Sequence, residues 1–287
     1  MPLTSLTDNL LFGLSERQRD AVTHIDGPLL IIAGPGSGKT RVMAHRVAYL
    51  IGVTGVPPWK ILAVTFTNKA ARELLERCER LVGSGSNELQ VRTFHGFCSR
   101  VLRSDGENVG LKSDFTIYDP DDQARVTRRI LEDIDIDPKQ FPPRSVLGVI
   151  SDAKNNLQSP EQLSKRTETY RDEVISRIYE AYEAALQRAN AVDFDDLLSK
   201  TYTLLEGHPE ILEKYQQRYE YLLVDEFQDT NPLQFQVARL LALKSRNICV
   251  VGDPDQSIYS WRHADPSNLT DFQSTFNETK IVTLDQS

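Results

Sequence analysis

The sequence predicts an α/β fold in which a parallel sheet is flanked by helices and a helical subdomain is inserted. Two observations carry this reading. Short apolar runs alternate with helical patterns near both ends of the chain, and the alternation is broken once by a long polar, proline-punctuated stretch.

The elements follow in order. LLIIA (29–33) is a buried strand, and RVMAHRVAYLI after it is a helix. ILAVTF (61–66) is the next strand, followed by the helix NKAARELLERCERLV, whose Ala71, Leu74, Leu75, Cys78, Leu81 and Val82 share one face. LQVRTF (89–94) and the helix HGFCSRVLR complete this half. Between about 111 and 189 the chain turns polar and helix-rich, broken by Pro120, Pro138, Pro142, Pro143 and Pro160. YLLVDE (221–226), a helix from Pro232, NICVVGD (247–253) and KIVTL (280–284) then resume the alternation. The expected organisation is one sheet-bearing domain from 1–110 and 190–287, with a helical subdomain at 111–189. No internal repeat or low-complexity tract is present.

Composition bounds the function. At 287 residues and 40% hydrophobic, the chain is long enough for about two domains. No apolar run nears the roughly 18–20 residues that span a bilayer, and MPLTSLTDNL lacks a signal-peptide layout. A cytoplasmic location with no membrane partner is expected. Cys78, Cys98 and Cys249 are too scattered for a zinc knuckle and read as reduced core thiols. The net charge of −8 argues against broad electrostatic capture of nucleic acid, so any such contact is local and partly nonionic.

The strongest chemical signal is AGPGSGKT (33–40), after a strand and before a helix, where a phosphate-binding loop sits. Its backbone N–H groups and the helix N-terminus cradle phosphate oxygens, and Gly36 and Gly38 permit close approach. Lys39 reaches the outer phosphates of ATP, and Thr40 holds Mg²⁺. Ala33 opens the motif where the pattern has Gly. The loop residues Ala33, Gly34, Pro35, Gly36, Ser37, Gly38, Lys39 and Thr40 form the expected nucleotide cradle. YLLV delivers Asp225 and Glu226 at the carboxyl end of another strand, where open parallel sheets bind ligands. Asp225 is assigned to Mg²⁺, through water, and Glu226 to activation of the attacking water.

With these residues placed, the chain resembles the UvrD/Rep/PcrA helicase family. The resemblance rests on DEFQDTNPLQF (225–235), VVGDPDQSIYSWRHAD (250–265), LSERQRDAV (14–22), AVTFTNKAARE (63–73), TFHGFCSRVLR (93–103) and VDFDDLL (192–198), and covers nearly the whole chain. The inserted stretch matches mainly by position and by FTIYDPDDQ (115–123). It implies a RecA-like motor domain and an ATP-driven single-strand translocase of 3′ to 5′ polarity, working on single-stranded DNA and its junctions with duplex in repair or replication. It also implies site roles: Gln18 reads adenine with Arg41 beside the base, Gln256 contacts the γ-phosphate, and Gln228 orders the site. Phe66, Tyr259 and Trp261 stack on bases, with Thr65, Asn68, His95 and Arg262 near the DNA backbone. Stacking tolerates any base, which suits a motor and an acidic chain alike.

Bland readings stand beside some of these. Phe66 also reads as a ring capping the sheet, and His95 as a satisfied surface histidine. His263 departs from the family's usual Gly. Asp193, Asp195 and Asp196 read as a helix start with a solvated face rather than a metal site. Arg125, Arg128 and Arg129 read as ordinary surface charge, with duplex contact the alternative.

Two other functions stay open: the motor part of a RecB- or AddA-like helicase-nuclease, and a nucleotide-dependent binding module. Beyond the closing TLDQS the family continues into a Tyr-Arg pair and a second motor domain. On that reading the chain is a front half that binds Mg-ATP weakly and hydrolyses it negligibly alone.

Overall fold

A computed structural model describes residues 3–165, 169–253 and 268–284. Every apolar run named above forms a strand: β1 (Leu29–Ala33), β2 (Ile61–Thr65), β3 (Gln90–Thr93), β6 (Tyr221–Val224), β7 (Ile248–Gly252) and β8 (Lys280–Leu284). Two short strands, β4 (Thr116–Ile117) and β5 (Ala191–Val192), stand apart. The six long strands build one sheet in the order β3-β2-β6-β7-β1-β8, each neighbouring pair parallel. β2, β6 and β7 are buried along their whole length, as expected of strands covered on both faces. Because all six point the same way, their carboxyl ends form one edge.

The helices of this sheet-bearing unit are α1 (Leu3–Leu11), α2 (Glu16–Thr23), α3 (Lys39–Gly52), α4 (Asn68–Val82), the start of α5 (Phe94–Asp105), α11 (Pro209–Arg218), α12 (Pro232–Ala242) and α13 (Asn268–Thr275). Local chemistry sets their starts. Ser15 and Gln18 form a capping box at α2, Thr67 caps α4, and Asn231 with Gln234 caps α12 just before Pro232. On α4, Ala71, Leu74 and Cys78 are buried, and Leu75 and Leu81 pack against the same core. The cysteines are buried free thiols; burial pushes Cys78 and Cys98 up to about 12 and Cys249 up to about 11.

Two compact units result, Met1–Phe97 with His208–Ser287, and Cys98–Gly207. The second is wider than the polar stretch that marks it in sequence. It holds α6 (Pro120–Asp133), α7 (Pro143–Asn155), α8 (Pro160–Ser164), α9 (Tyr170–Arg188) and α10 (Phe194–Gly207) around Leu131, Val146, Ile150, Ile178 and Tyr182. β4 pairs with β5, and α10 packs on the Gly106–Val109 turn, so flanking segments of ordinary hydrophobicity belong to it by contact.

One sequence expectation is corrected here. Asp193 and Asp196 do start a helix: each backbone N–H donates to the other's carboxylate, at 3.2 and 2.8 Å. Their face is not solvated. Both are buried, and the Lys154 Nζ of α7 lies 2.8 Å from Asp193 and 2.9 Å from Asp196. Lys154 also meets Glu183 at 2.7 Å, and the Tyr182 hydroxyl donates to Asp193 at 3.0 Å. Burial pulls Lys154 down, but Asp196, Asp193 and Glu183 together hold it well above its ordinary value. Asp195, on the half-exposed side, accepts from Asn155 at 2.9 Å. Arg125 pairs with Asp122 at 3.0 Å on the surface, and Arg128 and Arg129 are exposed.

Candidate nucleotide site

The site lies on the carboxyl edge of the sheet. β1 ends in buried Ala33, and residues 34–38 turn the chain into α3. The turn requires its glycines: Gly36 and Gly38 have φ of +76° and +84°, the left-handed region that other residues enter only under strain. Ser37 is fully buried and ties the loop, its hydroxyl donating to the Gly34 carbonyl at 2.7 Å. Pro35 and Gly36 are exposed. Lys39, Thr40 and Arg41 occupy the first turn of α3, so the free N–H groups and the positive pole of the helix point out of the loop.

Gln18 reaches this loop from α2. Its side-chain oxygen completes the capping box with the Ser15 N–H at 3.1 Å, and its amide nitrogen donates to the Ser37 carbonyl at 3.0 Å. A side chain on Gly38 would meet that nitrogen at 3.1 Å, so Gly38 serves the backbone angle and the contact together. Arg41 is exposed beside Gly13.

β6 brings Asp225 and Glu226 to the same edge. The Asp225 N–H donates to the Val64 carbonyl at 2.9 Å, continuing the ladder, and its carboxylate accepts the Glu226 N–H at 3.0 Å. Glu226 has φ +47° and ψ +47°, a left-handed conformation that costs a non-glycine residue about 1–3 kcal/mol and concentrates at functional sites. This kink points its carboxylate toward the phosphate loop, where the Lys39 ammonium stands 3.5 Å away. Gln228 is the strut: its amide nitrogen donates to Glu226 at 2.8 Å, and its oxygen accepts the Asp253 N–H at 3.0 Å, joining the ends of β6 and β7. A side chain at Gly252 would meet that oxygen at 3.0 Å.

The electrostatics are lopsided. Burial first, then the neighbouring Glu226, pushes Asp225 from an ordinary 3.8 up to about 6, against the pull of Lys39. The same two causes raise Asp229 to about 6. Among the described residues Lys39 forms the site's one ion pair, with Glu226, while Asp225 forms none. A lysine beside a carboxylate and a loop of N–H donors has the chemistry to take a polyphosphate, and Thr40 and Asp225 are the oxygen-bearing residues that could hold a divalent cation there.

The candidate DNA residues gather further along the edge. Thr65 ends β2 opposite Thr93 of β3. Thr65 is buried and its hydroxyl donates to the Thr67 carbonyl at 3.0 Å; Phe66 is partly buried, Asn68 opens α4 exposed, and His95 sits partly buried in the first turn of α5. Gln256, Tyr259, Trp261, Arg262 and His263 lie outside the described residues. Sequence reasoning assigned no role to Asp229 or Asp253, although both stand inside the strings it quoted; their signal was position, just past the carboxyl ends of β6 and β7.

Among the described residues no helix is long and apolar enough to cross a membrane. Residues 14–277 match the UvrD/REP helicase N-terminal domain. The chain is similar to ATP-dependent DNA helicase PcrA of Bacillus subtilis, 47% identical over 281 residues, which is 98% of this chain and 38% of that protein. PcrA of Staphylococcus aureus is 46% identical over 277 residues, 96% of this chain and again 38% of the relative. This chain thus spans less than half the length of these curated relatives. A match over most of its residues, on a parallel sheet that ends in a phosphate loop and a Lys39–Glu226 pair, makes the chain a member of the UvrD/REP helicase family.

Proposed function

We propose that this chain is the ATP-binding motor domain of an ATP-dependent DNA helicase that moves 3′ to 5′ along single-stranded DNA, engages its junctions with duplex, and serves repair or replication in the cytoplasm. The observation that carries the reading is the Lys39–Glu226 pair at 3.5 Å across the phosphate loop, backed by Asp225 without an ion pair among the described residues. Lys39 and the loop Ala33 to Thr40, through its backbone N–H groups other than at Pro35, hold the triphosphate. Thr40 and Asp225 hold Mg²⁺, which when bound neutralises phosphate charge. Glu226 accepts the proton of the attacking water, and Gln228 keeps its carboxylate in place.

Gln18 and Arg41 select the base, and Gln256 contacts the γ-phosphate. Thr65, Phe66, Asn68 and His95, with Tyr259, Trp261 and Arg262, take the single strand. Their support is the shared sheet edge for the first four and family membership for the rest. Stacking on rings accounts for strand binding by a chain of net charge −8.

The test is phosphate release by the complete polypeptide with and without single-stranded oligonucleotide. Turnover is expected to rise with the oligonucleotide. Glu226→Gln is expected to keep ATP affinity within about twofold while losing about 10² or more in turnover, since only the proton transfer needs the carboxylate. Equal losses in binding and turnover would overturn the assignment of Glu226.

A further inference from the structure

Arg46 lies on α3, two turns beyond Lys39, and is only 2% exposed. A buried guanidinium ordinarily meets a carboxylate. Among the described residues Arg46 makes no ion pair; it donates instead to backbone carbonyls, those of Ala21 at 3.0 Å, His24, and Ile25 at 3.4 Å. These carbonyls belong to the last turn and exit of α2, whose C-cap is His24. Helix ends leave such oxygens unbonded and carry partial negative charge, so a buried cation there replaces both the missing hydrogen bonds and the missing counter-charge.

The other end of α2 is also tied to the phosphate-loop segment, because Gln18 donates to Ser37 at 3.0 Å. α2 is therefore pinned at both ends: by Gln18 to the loop that opens α3, and by Arg46 to α3 itself. Ala21 and Val22 seat one face of α2 in the core, and the planar fork of Arg46 fixes several carbonyls at its end at once where an ammonium holds one point.

We propose that Arg46 is a positioning residue for nucleobase selection: by clamping the C-terminus of α2 to α3, it sets where Gln18 stands on the phosphate loop. The proposal rests on the reading of Gln18 as the base-selective residue. It separates two functions carried on one helix, since Lys39 and the loop N–H groups hold phosphate whatever the base, while α2 carries base discrimination.

The experiment measures displacement of a fluorescent ATP analogue from the chain, with Mg²⁺, by ATP, GTP and inorganic tripolyphosphate. Gln18→Ala, Arg46→Lys and Arg46→Gln are compared with the parent, and Arg46→Gln keeps the test open if Arg46→Lys does not fold. In the parent ATP displaces better than GTP. In either Arg46 variant the ATP-to-GTP ratio is expected to fall roughly 3- to 10-fold, the value of about one hydrogen bond, while tripolyphosphate displaces as before. Combining an Arg46 variant with Gln18→Ala should lower the ratio no further than Gln18→Ala alone. A ratio that falls in Gln18→Ala but holds in the Arg46 variants overturns the proposal, as does equal weakening of all three ligands, the mark of a merely structural residue. A ratio unmoved by Gln18→Ala overturns the reading of Gln18 itself.

Discussion

Two charge clusters in this chain, each with buried carboxylates, are arranged in opposite ways. In the helical unit, Lys154 has three carboxylate groups within 2.7–2.9 Å, the carboxylates of Asp193 and Asp196 also cap a helix, and that of Asp193 accepts from Tyr182. In the sheet-bearing unit, Asp225 is also buried but forms no ion pair among the described residues, and Lys39 stands 3.5 Å from Glu226. The first cluster is complete without a ligand. The second leaves Asp225 without a cation partner among the described residues, beside a strained Glu226 that takes the lysine. A network that satisfies itself holds a fold together, whereas one left unbalanced binds what balances it.

Breaking the complete cluster should have the largest effect. Lys154→Met leaves Asp193 buried without a cation and Asp196 with only Lys200, 3.7 Å away, and a loss of about 3–5 kcal/mol in unfolding free energy is expected by chemical denaturation. A loss below about 1 kcal/mol would place the cluster with surface ion pairs instead.

The unbalanced cluster should respond with the opposite sign. Asp225 has a folded-state value of about 6 against an ordinary 3.8, so the folded chain binds its proton more tightly than the unfolded one. Its contribution to stability is therefore full below about pH 4 and lost as pH rises through about 6. Asp225→Asn, which keeps an oxygen for the Glu226 N–H, should stabilise the ligand-free chain by up to about 3 kcal/mol at pH 7, with the gain vanishing near pH 4. Denaturation curves at the two pH values decide this; a gain independent of pH would show that charge is not its cause.

Lys39→Ala should give the smallest change in free energy and one confined to binding. ATP affinity is expected to fall by about 2 kcal/mol, roughly 30-fold, with the denaturation midpoint nearly unmoved, because Lys39 meets its partner at a distance where little stability is stored. Titration with an ATP analogue that shows unchanged affinity would remove Lys39 from the site.

What the sequence determined by itself is whatever depends on neighbours in the chain. Apolar runs with helical patterns between them fixed six strands and a parallel sheet, since burial on both faces leaves no polar alternation. Gly36 and Gly38 marked a loop only such residues can turn, and Asp225 with Glu226 sat one step past a strand, where chain direction alone puts them on the ligand edge. Ser15 and Gln18, Thr67 and Asn231 marked helix starts because capping acts over three residues. Only the tertiary structure decided which polar groups face water. The Asp193–Asp196 face looked solvated because the partner that buries it, Lys154, comes from a different helix, and the second unit runs past its polar stretch because β5 and α10 join it by contact. Gln228 spans two strand ends and Arg46 closes a helix it does not belong to, contacts made by long side chains across the fold. Backbone propensity and capping are local energies and are written locally; the cost of burying a charge depends on everything that arrives around it, and that is known only once the chain has folded.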